Sequence, residues 1–380
     1  MITLVSYLVF GVAIATGQSP TSPATPPPQQ QTSKRSPLSP SEVRQLQTKA
    51  DGGNASAQAT LGKAYQDGNG VAQNDALALK WCRKAAEQGD ADAENTLGIM
   101  YRMGEGVARD KEEAVRWFRK SAKQGNPKAT FNLGASYYNG DGVEVDDVAS
   151  FAWFLLAQEA GNPAADESLK RAASEAASQK EAVRIDAFVK IAQMYAAGDE
   201  LTKNPVEELK WYRKAADAGG LKASVVVASL LLADGRSATP EENAEARRRC
   251  EDAAKNNFSP GAYCVALIYR RGLGTEKDPA EATKWLGRAA DLGYPGAALE
   301  LGEAYWKGDG VKADPEAAYM WVWLAYKSKV PGAEHDEQQL GKELSEKQVQ
   351  QAKQKASDWA KKHWIGGLRQ RTPDSPAPAK

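Results

Sequence analysis

The chain reads as an all-α protein, a solenoid of antiparallel helix pairs, and three observations predict this. Trp81, Trp117 and Trp153 stand 36 residues apart, as do Trp285 and Trp321, with Trp211 between the two sets. A fixed period of this length, with the same neighbours each time, marks one supersecondary unit stacked many times. Each period carries two apolar stripes at helical spacing, and glycine pairs with polar caps separate them. The 49 basic and 49 acidic residues give a formal net charge of zero, so no basic excess points to nucleic acid.

Residues 1–17, MITLVSYLVFGVAIATG, are free of charged side chains and end in small residues. They read as a secretory signal peptide, with an uncleaved anchor as the alternative. Residues 18–38 are rich in Pro, Ser and Gln and read as a disordered linker, and 366–380 as a disordered tail. Within 39–164, SPSEVRQLQTKADGG reads as a lone second helix capping the start of the array. In the type unit, residues 57–92, Leu61 and Tyr65 mark the first helix and Leu77, Trp81 and Ala85 the second. Gly68 and Gly70 tolerate the left-handed backbone that reverses the chain between them. Seven residues before each tryptophan stands a capping residue, Asn74, Asp110, Asp146, Asn204, Asp278 or Asp314. Its side chain can accept free N–H groups of the first turn. Small residues such as Gly62, Gly98, Gly134 and Gly302 predict close helix approach beside the tyrosine three positions on.

Trp211 follows Trp153 by 58 residues, and the excess, 165–186, reads as an inserted helix. The second block, 187–332, contains a degenerate unit in which Arg249 takes the tryptophan column and Leu231 the tyrosine. There Thr239 with Glu242 forms a capping box and Asn257 replaces the glycine stop. Residues 333–365 read as a capping helix region, with Leu344, Val349, Ala352, Ala356 and Trp359 on one face. The count is seven units, three before the insertion and four after.

The segments LGKAYQDGNGV, LGIMYRMGEGV, LGASYYNGDGV and LGEAYWKGDGV, each followed by W-x-x-x-A-A or a close variant, resemble the Sel1-like repeat family. The resemblance covers about residues 40–364. It implies a right-handed, tetratricopeptide-like superhelix whose first helices line a concave wall, and a role in protein interaction. On that wall the more interaction-prone members are Asn95, Arg102, Phe131, Asn132, Tyr138, Tyr263, Arg270 and Trp306. Aromatics and arginine are enriched among binding hot spots.

Catalytic and metal signatures are missing from the sequence. The Gly-x-Gly pairs follow no strand and lead to no Gly-Lys-Ser/Thr, so they read as helix stops rather than phosphate loops. His335 and His363 are far apart and lie outside any Cys/His cluster. No cofactor is expected. Cys250 and Cys264 lie fourteen residues apart on antiparallel helices and are candidates for a disulfide in an oxidising compartment, while Cys82 reads as a small buried residue. The resulting expectation is a non-catalytic scaffold, periplasmic or secreted from a bacterial cell envelope. Its groove binds a protein or extended peptide in envelope assembly, signalling or host contact. The alternatives are an envelope polysaccharide or peptidoglycan binder, and a β-lactam hydrolase of the kind proposed for cysteine-rich relatives. Membrane association is expected only through an uncleaved N-terminal segment.

Overall fold

The computed structural model describes residues 37–175, 180–233 and 238–363. The expected signal peptide, nearly all of the linker and the tail lie outside these residues. Among the described residues the chain forms eighteen α-helices and no strand, and none of the helices is long and apolar enough to cross a membrane. The chain divides into two compact units between Ala218 and Gly219.

The N-terminal unit opens with α1 (Pro40–Asp51), started by a capping box between Ser39 and Glu42. Three regular pairs follow: α2 (Ala55–Asp67) with α3 (Asp75–Glu87), α4 (Ala91–Met103) with α5 (Lys111–Lys123), and α6 (Pro127–Asn139) with α7 (Asp147–Glu159). Next come α8 (Ala165–Glu175), α9 (Lys180–Ala197) and α10 (Pro205–Asp217). The C-terminal unit contains α11 (Leu221–Leu231), α12 (Pro240–Lys255), α13 (Ser259–Arg271), α14 (Pro279–Asp291), α15 (Pro295–Lys307), α16 (Pro315–Lys327), α17 (Ala333–Glu343) and α18 (Glu346–His363).

In each regular pair the first helix, A, packs against the second, B, along the stripe read from the sequence. Leu61, Leu97, Leu133 and Leu301 are buried, and Trp153 and Trp211 are wholly enclosed. A Cβ on Gly98 would come within 2.5 Å of the Phe118 ring, and one on Gly134 within 2.6 Å of Phe154. The small residue is therefore the seat for the side chain after the tryptophan on the partner helix. The expected B caps all form, Asp110 accepting from Glu113 N at 2.9 Å and Asp314 from Ala317 N at 3.0 Å. The backbone N–H of the same residue closes the loop by donating to the tyrosine carbonyl, as Asp110 does to Tyr101 at 2.9 Å. A helices carry caps that the sequence reading passed over, Asn54, Asp90 and Asn126.

The two glycines of each loop do different things. Gly104 ends α4 in the left-handed conformation, as expected of a helix stop. The second glycine is a docking point between repeats. A Cβ on Gly106 would lie 2.5 Å from the Asp75 carbonyl oxygen, one on Gly142 2.1 Å from that of Lys111, and one on Gly310 2.0 Å from that of Pro279. These three loops thus lay their backbone on the first turn of the preceding B helix.

Within the inserted segment, 165–186, the described residues belong to α8 and to the start of α9, and residues 176–179 lie outside the described residues. From Lys180 on, α9 carries the segment as an extension of the fourth A helix, which is 18 residues long against 13 in its regular counterparts. The terminal region repeats this device. Ala165 and Ala333, both fully buried, stand at the same distance from the starts of α7 and α16. α7 packs on both α8 and α9, as α16 does on both α17 and α18. Ala352 and Ala356 bury one face of α18, and Trp359 meets Trp321 edge-on at 4.9 Å. In the degenerate unit the Thr239 capping box forms and Asn257 adopts φ 58°. Cys250 and Cys264 are joined there, with Cα atoms 5.7 Å apart, tying α12 to α13.

Candidate functional site

A helices of successive repeats meet along a seam, and Asn95, Arg102, Asn132, Tyr263 and Arg270 of the expected site residues lie on it. Asn132, the sixth residue of α6, bridges two residues of α4. Its Nδ2 donates to Asn95 Oδ1 at 2.9 Å, and its Oδ1 accepts from Arg102 Nη1 at 3.3 Å. The C-terminal unit repeats the arrangement with a different bridging residue. Glu300, sixth in α15, accepts from the Tyr263 hydroxyl at 2.5 Å and forms an ion pair with Arg270. Burial, with the Glu300 carboxylate beside it, pushes the Tyr263 phenol far above its ordinary pKa.

The other expected residues also contact neighbouring elements. Phe131 packs against Phe154, ring centres 5.3 Å apart. Tyr138 and Trp306 occupy the twelfth position of α6 and α15. Tyr138 lies under the Arg171 guanidinium of α8 at 5.0 Å, and Trp306 Nε1 donates to Glu343 of α17 at 3.1 Å. Asn95 is only 4% exposed, so it supports Asn132 from beneath rather than facing solvent. Arg102 is half-buried above the Phe118 ring at 5.6 Å, and desolvation pulls its pKa below the ordinary guanidinium value.

Helix geometry places the ninth and thirteenth positions of each A helix opposite its core stripe. In α4 and α6 these are Ile99, Met103, Ala135 and Asn139, and Met103 is 60% exposed. The N-terminal unit therefore has a wall with an apolar centre, flanked by the Arg102–Asn132 seam and by Tyr138. Sequence reasoning missed Glu300, the central residue of the second seam. Its signal was its shared column with Asn132, obscured because a carboxylate on a helix surface looks solvated.

The tryptophan side is packed and capped by cations. Lys120 lies 3.9 Å from the Trp117 ring centre and Lys214 3.8 Å from that of Trp211. Cys82 is fully buried, and desolvation pushes its thiol up to about 12. A cavity of about 120 Å³ between α14 and α15, lined by Arg270, Thr283, Glu300, Lys307 and Asp309, has room for a few waters rather than an organic ligand. Among the described residues no group of three or more His, Cys, Asp or Glu side chains is placed to hold a metal ion.

Paired helices, tyrosine-closed loops and a laddered A-helix seam define a tetratricopeptide-like α-solenoid. Sel1 repeats match residues 55–90, 91–126, 127–162, 188–220, 259–294 and 295–326. The chain belongs to the Sel1 repeat family. The matches skip residues 221–258, where Arg249 interrupts the tryptophan column. No curated protein matches the chain. Among solved structures it is similar to a Sel1 repeat protein from Oxalobacter formigenes, at 27% identity over 78% of this chain and 90% of that one, with a TM-score of 0.36. It is also similar to a protective antigen present in uropathogenic Escherichia coli strains and displaying an SLR fold. Identity there is 23% over 89% of this chain and 91% of that one, with a TM-score of 0.35. Sel1 repeat proteins are generally protein-interaction scaffolds without catalytic activity.

Proposed function

We propose that the chain is an exported, non-catalytic scaffold that holds an extended peptide segment of a protein partner along the A-helix wall of its N-terminal unit. Envelope assembly, signalling and host contact are the settings this reading fits. The observation that carries it is the seam. Arg102 and Asn132 are already fixed by bonds between helices, and Phe131 and Tyr138 are held by aromatic and cation contacts beside half-buried Ile99 and exposed Met103. Side chains ordered before binding lose less entropy when a ligand arrives, so such a wall recognises efficiently. An apolar centre edged by hydrogen-bonding groups suits a peptide, which offers both kinds of contact. The Cys250–Cys264 bond supports the exported part of the reading, because disulfides persist in oxidising compartments.

Combined alanine replacement of Phe131, Tyr138 and Arg102 tests the wall. Partner capture falls while helical circular dichroism is retained; undiminished capture by a folded variant counts against the proposal. N-terminal sequencing of the mature chain tests export, with a start beyond residue 15 expected and an intact Met1 contradicting cleavage.

A further inference from the structure

The two seams differ at their bridging residue, and the difference points to a ligand. In the C-terminal unit, Glu300 meets the charge of Arg270. In the N-terminal unit, Asn132 occupies the corresponding position, so Arg102 donates to a neutral amide oxygen. No carboxylate of the described residues lies within salt-bridge distance of Arg102. Asp141 and Glu105 are the acids whose field reaches it, and both are engaged elsewhere. Asp141 pairs with Lys111, and Glu105 accepts from Gln66 Nε2 at 2.7 Å. Arg109 adds positive charge at this edge, its Nε donating to the Arg102 carbonyl at 3.0 Å. A guanidinium has five N–H donors in a fixed fork that fits a carboxylate, and a half-desolvated cation gains most from meeting one.

We propose that Arg102 and Asn132 form a subsite for an acidic side chain of the bound peptide, whose carboxylate supplies to Arg102 the charge that Glu300 supplies to Arg270 in the other unit. The inference rests on the peptide-wall reading and adds the partner's chemistry to it. Arg102 supplies the charge, Asn132 the orienting amide, and Asn95 holds Asn132 from below. In the C-terminal unit the same position is satisfied internally, so the acidic peptide is selected by the N-terminal wall.

The test uses the full chain and fluorescent pools of twelve-residue, C-terminally amidated peptides, with randomised flanks and either Glu or Gln at the sixth place. Charge-assisted hydrogen bonds predict at least about ten-fold tighter binding of the Glu pool by anisotropy. Asn132→Glu abolishes that preference by giving Arg102 its own carboxylate. Glu300→Asn frees Arg270 and raises the number of acidic peptides bound per chain. Circular dichroism checks both variants, and the second remains informative if the first fails to fold. Equal binding of the pools, or preference retained in folded Asn132→Glu, overturns the subsite. Equal binding that is lost when Phe131 and Tyr138 become alanine removes the subsite and leaves the wall reading standing. Binding of neither pool overturns both. A third pool, with Gln and a free C-terminus, overturns the side-chain assignment if it alone binds tightly.

Discussion

Gly142→Ala tests whether the repeats are joined through their loops, with Gly125→Ala as its control. Both glycines have positive φ, 77° and 83°. A side chain in the left-handed region costs roughly 1–2 kcal/mol, and the loss of unfolded-state freedom returns about 0.4–1 kcal/mol. Nothing lies within 4 Å of a Cβ on Gly125, so that variant should lose only about 1 kcal/mol. A Cβ on Gly142 would sit 2.1 Å from Lys111 O, 2.4 Å from Lys111 C and 2.8 Å from Glu112 N. All three atoms are helix backbone, so neither side can give way by turning a rotamer. The first turn of α5 and the loop after α6 must separate, adding roughly the 1–3 kcal/mol of an overpacked core or more. The expected loss is about 3 kcal/mol or above, read as a lowered urea midpoint by tryptophan fluorescence. It should be accompanied by faster amide exchange in the first turn of α5 and the loop after Asn139. Equal losses in the two variants would refute the docking role and leave the glycine a plain turn residue.

Three further outcomes follow from the same fold. Desolvation raises the pKa of Glu94, which is 4% exposed, above its ordinary value, although Gln124 donates to it at 2.7 Å. Its charged form therefore costs stability as pH rises through the folded pKa, and the cost vanishes well below the reference value of 4.5. Glu94→Gln should raise the unfolding midpoint at neutral pH and leave it unchanged in acid; the opposite trend would refute the burial argument. Reducing the Cys250–Cys264 bond, which spans 14 residues, should lower the stability of the C-terminal unit by about 3 kcal/mol in urea unfolding. An unchanged midpoint would show that packing alone holds α12 to α13. Cys82, with its thiol pushed up to about 12, should resist iodoacetamide in the native chain and react once unfolded, as mass spectrometry reads directly.

The fold was legible because each signal has a local cause. The Asp110 cap, the close helix approach at Gly98 and the Thr239 capping box all follow from residue type and spacing. What lay hidden depends on contacts one repeat away. Gly106 and Gly104 look alike in sequence, yet only Gly106 meets the preceding helix. The period assigned Asn95, Arg102 and Asn132 to columns on the expected concave side, but a column does not say whether a side chain faces solvent or the next helix. Asn95 proved buried for that reason. Arg102 and Arg270 share a column, and their difference is set thirty residues away, by Asn132 and Glu300. The inserted segment became α8 plus an extended α9 because nothing within Lys180–Ala197 signals a stop before the fourth A helix begins.

Site-specific photocrosslinking in producing cells tests the central claim most directly, with a benzophenone side chain placed at Ile99 or Ala135 on the A-helix wall and at Lys80 or Arg116 on the B helices. The account predicts a discrete protein adduct from the wall positions that disappears when Phe131, Tyr138 and Arg102 are alanine, and none from the B-helix positions. Adducts from the B helices alone, or wall adducts indifferent to the triple replacement, would contradict it.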